Sequence, residues 1–596
     1  MSFTTRPEIS GTFGVVTSTH WMASAVGMKL LEADGSAFDA AVGMGLVLNV
    51  VEPHLNGPLG DMPALIKPAS EAAPTVICGQ GPAPAGATIA HYRAEGLDLI
   101  PGSGLLAAVV PGAFDAWMLM LRDHGRLTLR EVLEPAIYYA EHGHPLLANA
   151  ARVIAGLETF FKTEWPTSAE VWLPGGAAPD AGALFRNPSL AAMWSKLLAE
   201  AETETGRVAQ IDKARDCFRN GFVAEAIDRY LAEACVMDAA GGRRKAVLTG
   251  QDMATWRASY EPAVAVDHHG WTVWKAGFWT QGPALLQTLR LLEAHDLPAL
   301  DPNGAEFVHL VTEAQKLAFA DREAFYGDPA QSDIPAERLL SSDYAATRRA
   351  LISDTASLDQ RPGHIAGFEA LADAFVARAR RAVPETAGPG AGEPTMAHLT
   401  ERRGDTVHLD VIDRWGNAVS ATPSGGWLQS SPVVPGLGVP LGSRAQMFWL
   451  DPDLPTSLAP GRRPRTTLSP SMAMDPDGGV QAFGTPGGDQ QDQWQAIYLL
   501  RLIHNGLPLQ AAIDSPLFHS AHLQASFYPR TANPGHLMIE PHFGEAVAQA
   551  LRDRGHRLEV SEPWSVGRLT AAHRSAQGML HAAATPRLMQ AYAIGR

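Results

Sequence analysis

Between Pro384 and Pro394 the chain reads PETAGPGAGEP, rich in proline and glycine and without one large apolar residue. Such a run cannot bury itself, so it predicts a mobile linker, extending over about 384–405. The periodicity of the sequence changes across it, which requires a helix-rich part before the break and a strand-rich part after it.

Before the break, Met22, Ala25, Val26, Leu30 and Leu31 recur near helical spacing ahead of Gly35, predicting a helix and its stop. Ala37 to Val51 is small and apolar on nearly every face, which predicts a buried helix ending at Glu52-Pro53-His54. Thr128 and Glu131 have capping-box spacing for a helix that Gly143 ends. Val311, Ala314, Leu317 and Ala318 share one helical face over 310–325, and Gly327-Asp328-Pro329 stops that helix. After the break, Val407, Leu409 and Val411 alternate with His408, Asp410 and Ile412. Turn residues at 413–417 and a second extended run at 418–422 complete a predicted β-hairpin. Val480 to Thr485 predicts another strand, followed by Pro486-Gly487-Gly488 and a helix carrying Trp494, Ile497, Tyr498 and Arg501 along one side.

Composition removes several function classes. With 63 Asp+Glu against 47 Lys+Arg, a net charge of -16, the balance argues against a non-specific nucleic-acid binder, which needs a basic face, and leaves room only for an isolated basic patch. Cys78, Cys217 and Cys235 form no Cys-x-x-Cys pair, so a reducing compartment is expected. The start, MSFTTRPEIS, has no signal-peptide apolar core, and the run Ala40 to Val51 is too short to span a bilayer; both predict a cytoplasmic protein without membrane association. No dinucleotide fingerprint, Walker loop or nucleophile elbow is present, and no cofactor is expected. His142 and His144, and the cluster Asp267-His268-His269, lack a matching ligand set; they read as loop histidines, and no metal is expected.

Two local patterns can carry chemistry. In Gly404-Asp405-Thr406-Val407-His408 a threonine opens a strand directly after the linker. On spacing alone it reads first as an ordinary β-branched strand residue. A cleavage between Asp405 and Thr406 would free an α-amine of pKa about 7.7 to 8.0, placed to take the hydroxyl proton without a histidine. Gly484-Thr485-Pro486-Gly487-Gly488 joins a strand to a helix. Such a turn is usually only a turn, yet paired glycines let an acyl group approach backbone N–H groups that can hold an oxyanion.

Together with Gly35 to Val42 (GSAFDAAV), Val51 to His54 (VEPH), Glu131 to Ala140 (EVLEPAIYYA), Glu313 to Pro329 (EAQKLAFADREAFYGDP), Asp413 to Ser420 (DRWGNAVS), Val434 to Gly438 (VPGLG) and Ala459 to Pro470 (APGRRPRTTLSP), these patterns make most of the chain resemble the γ-glutamyltranspeptidase family. The resemblance implies an α+β fold, the four-layer αββα sandwich of the N-terminal nucleophile hydrolases. It would be formed jointly by a large subunit, 1–405, and a small subunit, 406–596, after self-cleavage. It implies Thr406 as nucleophile, Ser424 in place of a threonine hydroxyl that bonds the nucleophile's amine, Gly487 and Gly488 as the oxyanion pair, and Thr466-Thr467 in place of two serines that contact the substrate carboxylate.

The match fails where the family grips a glutamyl head group. Gln80 stands for the arginine that takes the α-carboxylate, Gly426 for an asparagine, and Phe448 for the acidic residue that takes the α-amine. Gln80 cannot form a bidentate ion pair. Trp427, Arg444 and Asp489 are further substrate-binding candidates, and Arg444, Asp489 or Asp492 could compensate for the lost anchors. The polar run 489–493 otherwise reads as a solvated helix start. The expected activity is hydrolysis of a small-molecule amide other than glutathione; an orthodox γ-glutamyltransferase and an uncleaved scaffold stay open, as does assembly into a homo-oligomer.

Overall fold

The computed structural model describes residues 4–381 and 406–596. The predicted linker, with Asp405 at its end, lies outside the described residues.

Two seven-stranded sheets organise the molecule, and every strand pair in both is antiparallel. The first runs Ile9–Gly11, Leu580–Ala584, Thr570–Arg574, Val480–Gly484, Ser471–Met474, Trp271–Lys275, Val264–His268. The second runs Tyr592–Gly595, Gly14–Ser18, Leu409–Asp413, Ala418–Ala421, Met62–Lys67, Thr75–Gly79, Ser259–Pro262. Each sheet therefore takes strands from both sides of residue 405.

Side-chain alternation sorts the strand residues into three apolar layers. Val15, Leu65, Ile412, Met472, Ala482 and Ala572, from both sheets, share one cluster. Their neighbours Val16, Ala64, Val411 and Val419 pack instead with helices Trp21–Glu32, Ala37–Val51, Ala113–His124 and Leu129–His142. Val273, Ala473, Phe483 and Ala571 pack with helices Pro283–Leu292, Ala305–Phe325 and Gln491–Asn505. Because successive strand residues point to opposite faces and both faces are covered, strands such as Gly14–Ser18, Met62–Lys67, Leu409–Asp413 and Ala418–Ala421 are buried along their whole length, with no wet face to reveal them.

The sequence-predicted helices form as expected, capping box at Thr128 and Glu131 included, and Ser36 with Asp39 makes a second box ahead of Ala37–Val51. The hairpin also forms, Leu409↔Ala421 through Ile412↔Ala418. The Asp413 carboxylate closes its turn on the Trp415 and Asn417 amides and also accepts from Ala37 N at 2.8 Å, tying the turn to a helix start. The hairpin begins later than expected: Thr406 makes an isolated bridge to Ser424, and regular pairing starts at Leu409. Among the described residues no helix is long and apolar enough to cross a membrane.

Candidate active site

Thr406 is fully buried at the head of the second described segment, its Oγ1 3.2 Å from the Ser424 hydroxyl. Ser424 is held by a backbone exchange with Asp61: Ser424 N donates to Asp61 O at 3.0 Å, and Asp61 N to Ser424 O at 2.9 Å. The Asp61 carboxylate in turn binds Arg444 in bidentate fashion, at 2.6 Å to Nε and 3.1 Å to Nη2. Burial raises the Asp61 pKa while Arg444 pulls the other way. The Arg444 guanidinium lies 5.5 Å from the Trp427 ring, whose Nε1 donates to Leu55 O at 2.8 Å. The structure thus brings Thr406, Ser424, Arg444 and Trp427 into one chain of contacts through Asp61, a residue that had no signal in the sequence.

Two residues beyond Thr406, His408 bonds Thr422 Oγ1 through Nδ1 (2.9 Å) and Asp410 Oδ1 through Nε2 (2.8 Å). The other Asp410 oxygen accepts from Thr17 of one sheet at 3.0 Å and Thr570 of the other at 2.8 Å. This buried network fixes the backbone that leads to Thr406. It also sets the neighbour across the sheets: a Cβ on Gly484 would stand 2.3 Å from the His408 ring, so only glycine lets the strand pass this close.

Gly484 begins the predicted turn, which brings Gly487 and Gly488 to the same end of the sheets. Their φ angles, 134° and 56°, are positive, a region that favours glycine. Among the described residues neither amide N–H has a hydrogen-bond partner, while Gly487 O accepts from Gln490 N at 3.1 Å and Gly488 O from Gln281 Nε2 at 3.0 Å. Gln281 N donates to Thr466 O at 2.9 Å, so one glutamine joins the threonine pair to the glycine turn. Thr466 and Thr467 are both fully buried.

The run after the turn differs from a solvated helix start. A 3-10 turn, Gly488–Gln490, precedes the helix, and Gln491 and Asp492 are buried. Asp489 accepts from Arg322 Nη1 at 2.6 Å, Ser526 N at 2.8 Å and Ser526 Oγ at 2.6 Å. Asp492 pairs with Lys275 Nζ at 2.8 Å, with both side chains fully buried. Charges stay buried only when paired, and the partners lie far away in sequence. Arg444, Asp489 and Asp492, the candidate stand-ins for lost head-group anchors, each already hold an opposite charge.

Gln80 and Phe448 are both buried. The Gln80 amide donates to Gly81 O at 3.1 Å, and Phe448 packs among Ala83, Ala87, Tyr92, Leu450 and Leu458. Sequence reasoning missed Gln281, which carried no signal, and Arg322, which lies within the Glu313 to Pro329 run without a role assigned. It also read the histidines as loop residues without partners: His142 ends helix Leu129–His142, His144 is buried in the short strand His144–Pro145, and His504 joins His268 and His269.

Comparison with known proteins agrees over the whole length. The Gamma-glutamyltranspeptidase family model matches residues 23–595. The chain is 30% identical to the Glutathione hydrolase-like YwrD proenzyme of Bacillus subtilis, over 97% of this chain and 98% of that one. It is 31% identical to the Oxamate amidohydrolase proenzyme of Klebsiella pneumoniae, over 97% of each. The solved structure of LmbA2991HD superposes with a TM-score of 0.92 at 51% identity, over 100% of both chains. The chain belongs to the Gamma-glutamyltranspeptidase family.

Proposed function

We propose that this chain is a self-processing amide hydrolase in which Thr406 is the nucleophile. The observation that carries this reading is the Thr406 hydroxyl, 3.2 Å from the Ser424 hydroxyl and two residues before His408, whose ring lies against Gly484 at the start of a turn whose two glycine amides are free of other partners among the described residues. The proenzyme names of its relatives support it. In the precursor the hydroxyl attacks the Asp405 carbonyl, the peptide becomes an ester, and water releases fragments 1–405 and 406–596. The two fragments then form a four-layer αββα sandwich together.

In the mature enzyme the freed α-amine takes the hydroxyl proton as Thr406 Oγ1 attacks the substrate amide. The Gly487 and Gly488 N–H groups hold the oxyanion. The amine returns the proton to the leaving nitrogen, and water hydrolyses the acyl ester with the same amine as base. Thr466 and Thr467 contact the acyl group's carboxylate, and Ser424 orients the amine.

The acyl donor lacks a free α-amino acid head group. Gln80 and Phe448 offer no charge partners for one, and Arg444, Asp489 and Asp492 are already paired. A relative named as an oxamate amidohydrolase supports a short dicarboxylic monoamide as the substrate class. The test is N-terminal sequencing of the small fragment, then kcat/KM for γ-glutamyl-p-nitroanilide against glutaryl-p-nitroanilide and oxamate. Thr406 at the new N-terminus, no processing of Thr406→Ala and faster turnover of the amides without an α-amine are expected. A clear preference for the γ-glutamyl donor would replace this reading with an orthodox γ-glutamyltransferase, and an uncleaved, inactive chain would remove the enzyme altogether.

A further inference from the structure

Val264–His268 and Trp271–Lys275 form a hairpin at the edge of the first sheet, with His268 facing Trp271 across a two-residue turn, His269-Gly270. Both turn residues have positive φ, 48° and 83°. Two-residue hairpin turns of that kind favour Asn, Asp or Gly at the first position, so a histidine there needs another reason. The reason in view is a third imidazole. His504 arrives in the last turn of helix Gln491–Asn505, its Nε2 2.9 Å from His268 Nε2. One ring nitrogen from each of the three histidines lies within 4.8 Å of the others. His268 is 1% exposed and its Nδ1 has no hydrogen-bond partner among the described residues.

We propose that His268, His269 and His504 form a binding site for a late first-row divalent cation, zinc foremost, with water completing a tetrahedron. Three nitrogen donors with neither thiolate nor carboxylate select zinc, copper or nickel over magnesium or calcium. Zinc–nitrogen bonds of about 2.0 to 2.1 Å set tetrahedral donors about 3.4 Å apart, within side-chain adjustment of the present spacing, and the exposed His269 is free to close. The helix end adds partial negative charge from its last carbonyls. The nearby guanidinium of Arg290 is engaged by Asp267 O at 3.2 Å and Glu293 at 3.3 Å. A second group, His309, Glu313 and His556, carries no such proposal: Glu313 is already held by Lys316 at 2.6 Å and Arg361 at 2.7 Å, and a metal would meet both cations.

A bound cation would fasten residues on either side of the 384–405 segment, since His268 and His269 precede it and His504 follows it. It would also pin the far end of the helix that starts just after Gly488, leaving the reacting atoms untouched. The experiment is calorimetric titration of the tag-free, chelator-treated full chain with zinc chloride, with magnesium chloride as a control. One zinc equivalent should bind, and magnesium should not. His269→Asn keeps a residue suited to the left-handed turn while removing the ligand. That variant and His504→Ala should weaken zinc binding at least about tenfold, the loss that even an outer-shell partner brings. Amide turnover of His269→Asn should stay unchanged, and circular dichroism should show both variants folded. Folded variants that bind zinc as tightly as the parent chain, or a parent chain that binds none, would overturn the site.

Discussion

At the scale of single residues, Ser424 and Glu52 make separable predictions. A neutral hydrogen bond contributes about 1 kcal/mol net, so Ser424→Ala should slow turnover of cleaved protein roughly fivefold, and Ser424→Thr, which keeps the hydroxyl, should restore it. Initial rates on a chromogenic amide measure this. Glu52 is fully buried, accepts from Thr19 Oγ1, and is pushed by burial from 4.5 up to about 7. The folded state keeps this proton in a range where the unfolded state has released it. Its contribution to stability is therefore present below pH 4.5 and lost as pH rises to 7, a swing of about 3 kcal/mol. Glu52→Gln should raise Tm at pH 8 and leave it unchanged at pH 4, read by thermal denaturation. Thr406 and the glycine pair could be nominated from short ordered patterns, and Ser424 from the family resemblance. Asp61 and Gln281 could not, because their roles come from partners hundreds of residues away.

At the scale of elements, the join between helix Gln491–Asn505 and strand Trp271–Lys275 includes a fully buried ion pair, Lys275 with Asp492. Burial pulls both groups toward their neutral forms, lowering the lysine pKa and raising that of the aspartate, and each partner opposes the shift in the other. Removing one partner strands the other, so Lys275→Met alone should destabilise by about 3 to 5 kcal/mol, whereas adding Asp492→Leu should recover much of the loss. Chemical denaturation of the two singles and the double measures the coupling. In the glycine turn, Gly488→Val meets a positive φ as well as the proposed oxyanion. It should lower kcat by an amount equivalent to about 2.7 to 4 kcal/mol, and circular dichroism must show the fold kept. Helices could be read from their caps and spacing. Strand order could not, because residues such as Leu409 and Ile412 are apolar on both faces, and alternation tells only where one face is wet.

At the scale of the whole molecule, acid should be the main threat to folding. Burial holds His20, His54, His519, His522 and His556 down to about 3, against 6.5 when unfolded. Between those values the unfolded state binds more protons. The stability these residues contribute is full above pH 6.5 and is lost as pH falls toward 3, so Tm should drop steeply below pH 6 in a series of thermal melts. Interleaving of strands from before and after residue 405 in both sheets means that cleavage should not separate the pieces without denaturant; gel filtration of nicked protein should give one species. The two ends of the described chain are also neighbours: Arg596 O accepts from Thr12 N at 3.1 Å and Phe13 N at 2.6 Å, and Tyr592–Gly595 pairs with Gly14–Ser18. That adjacency makes the protein a candidate for circular permutation. A gene reordered to join Arg596 to the N-terminal segment through a short flexible bridge could begin at Thr406, and removal of the initiator methionine would then expose its amine with no peptide bond left to break.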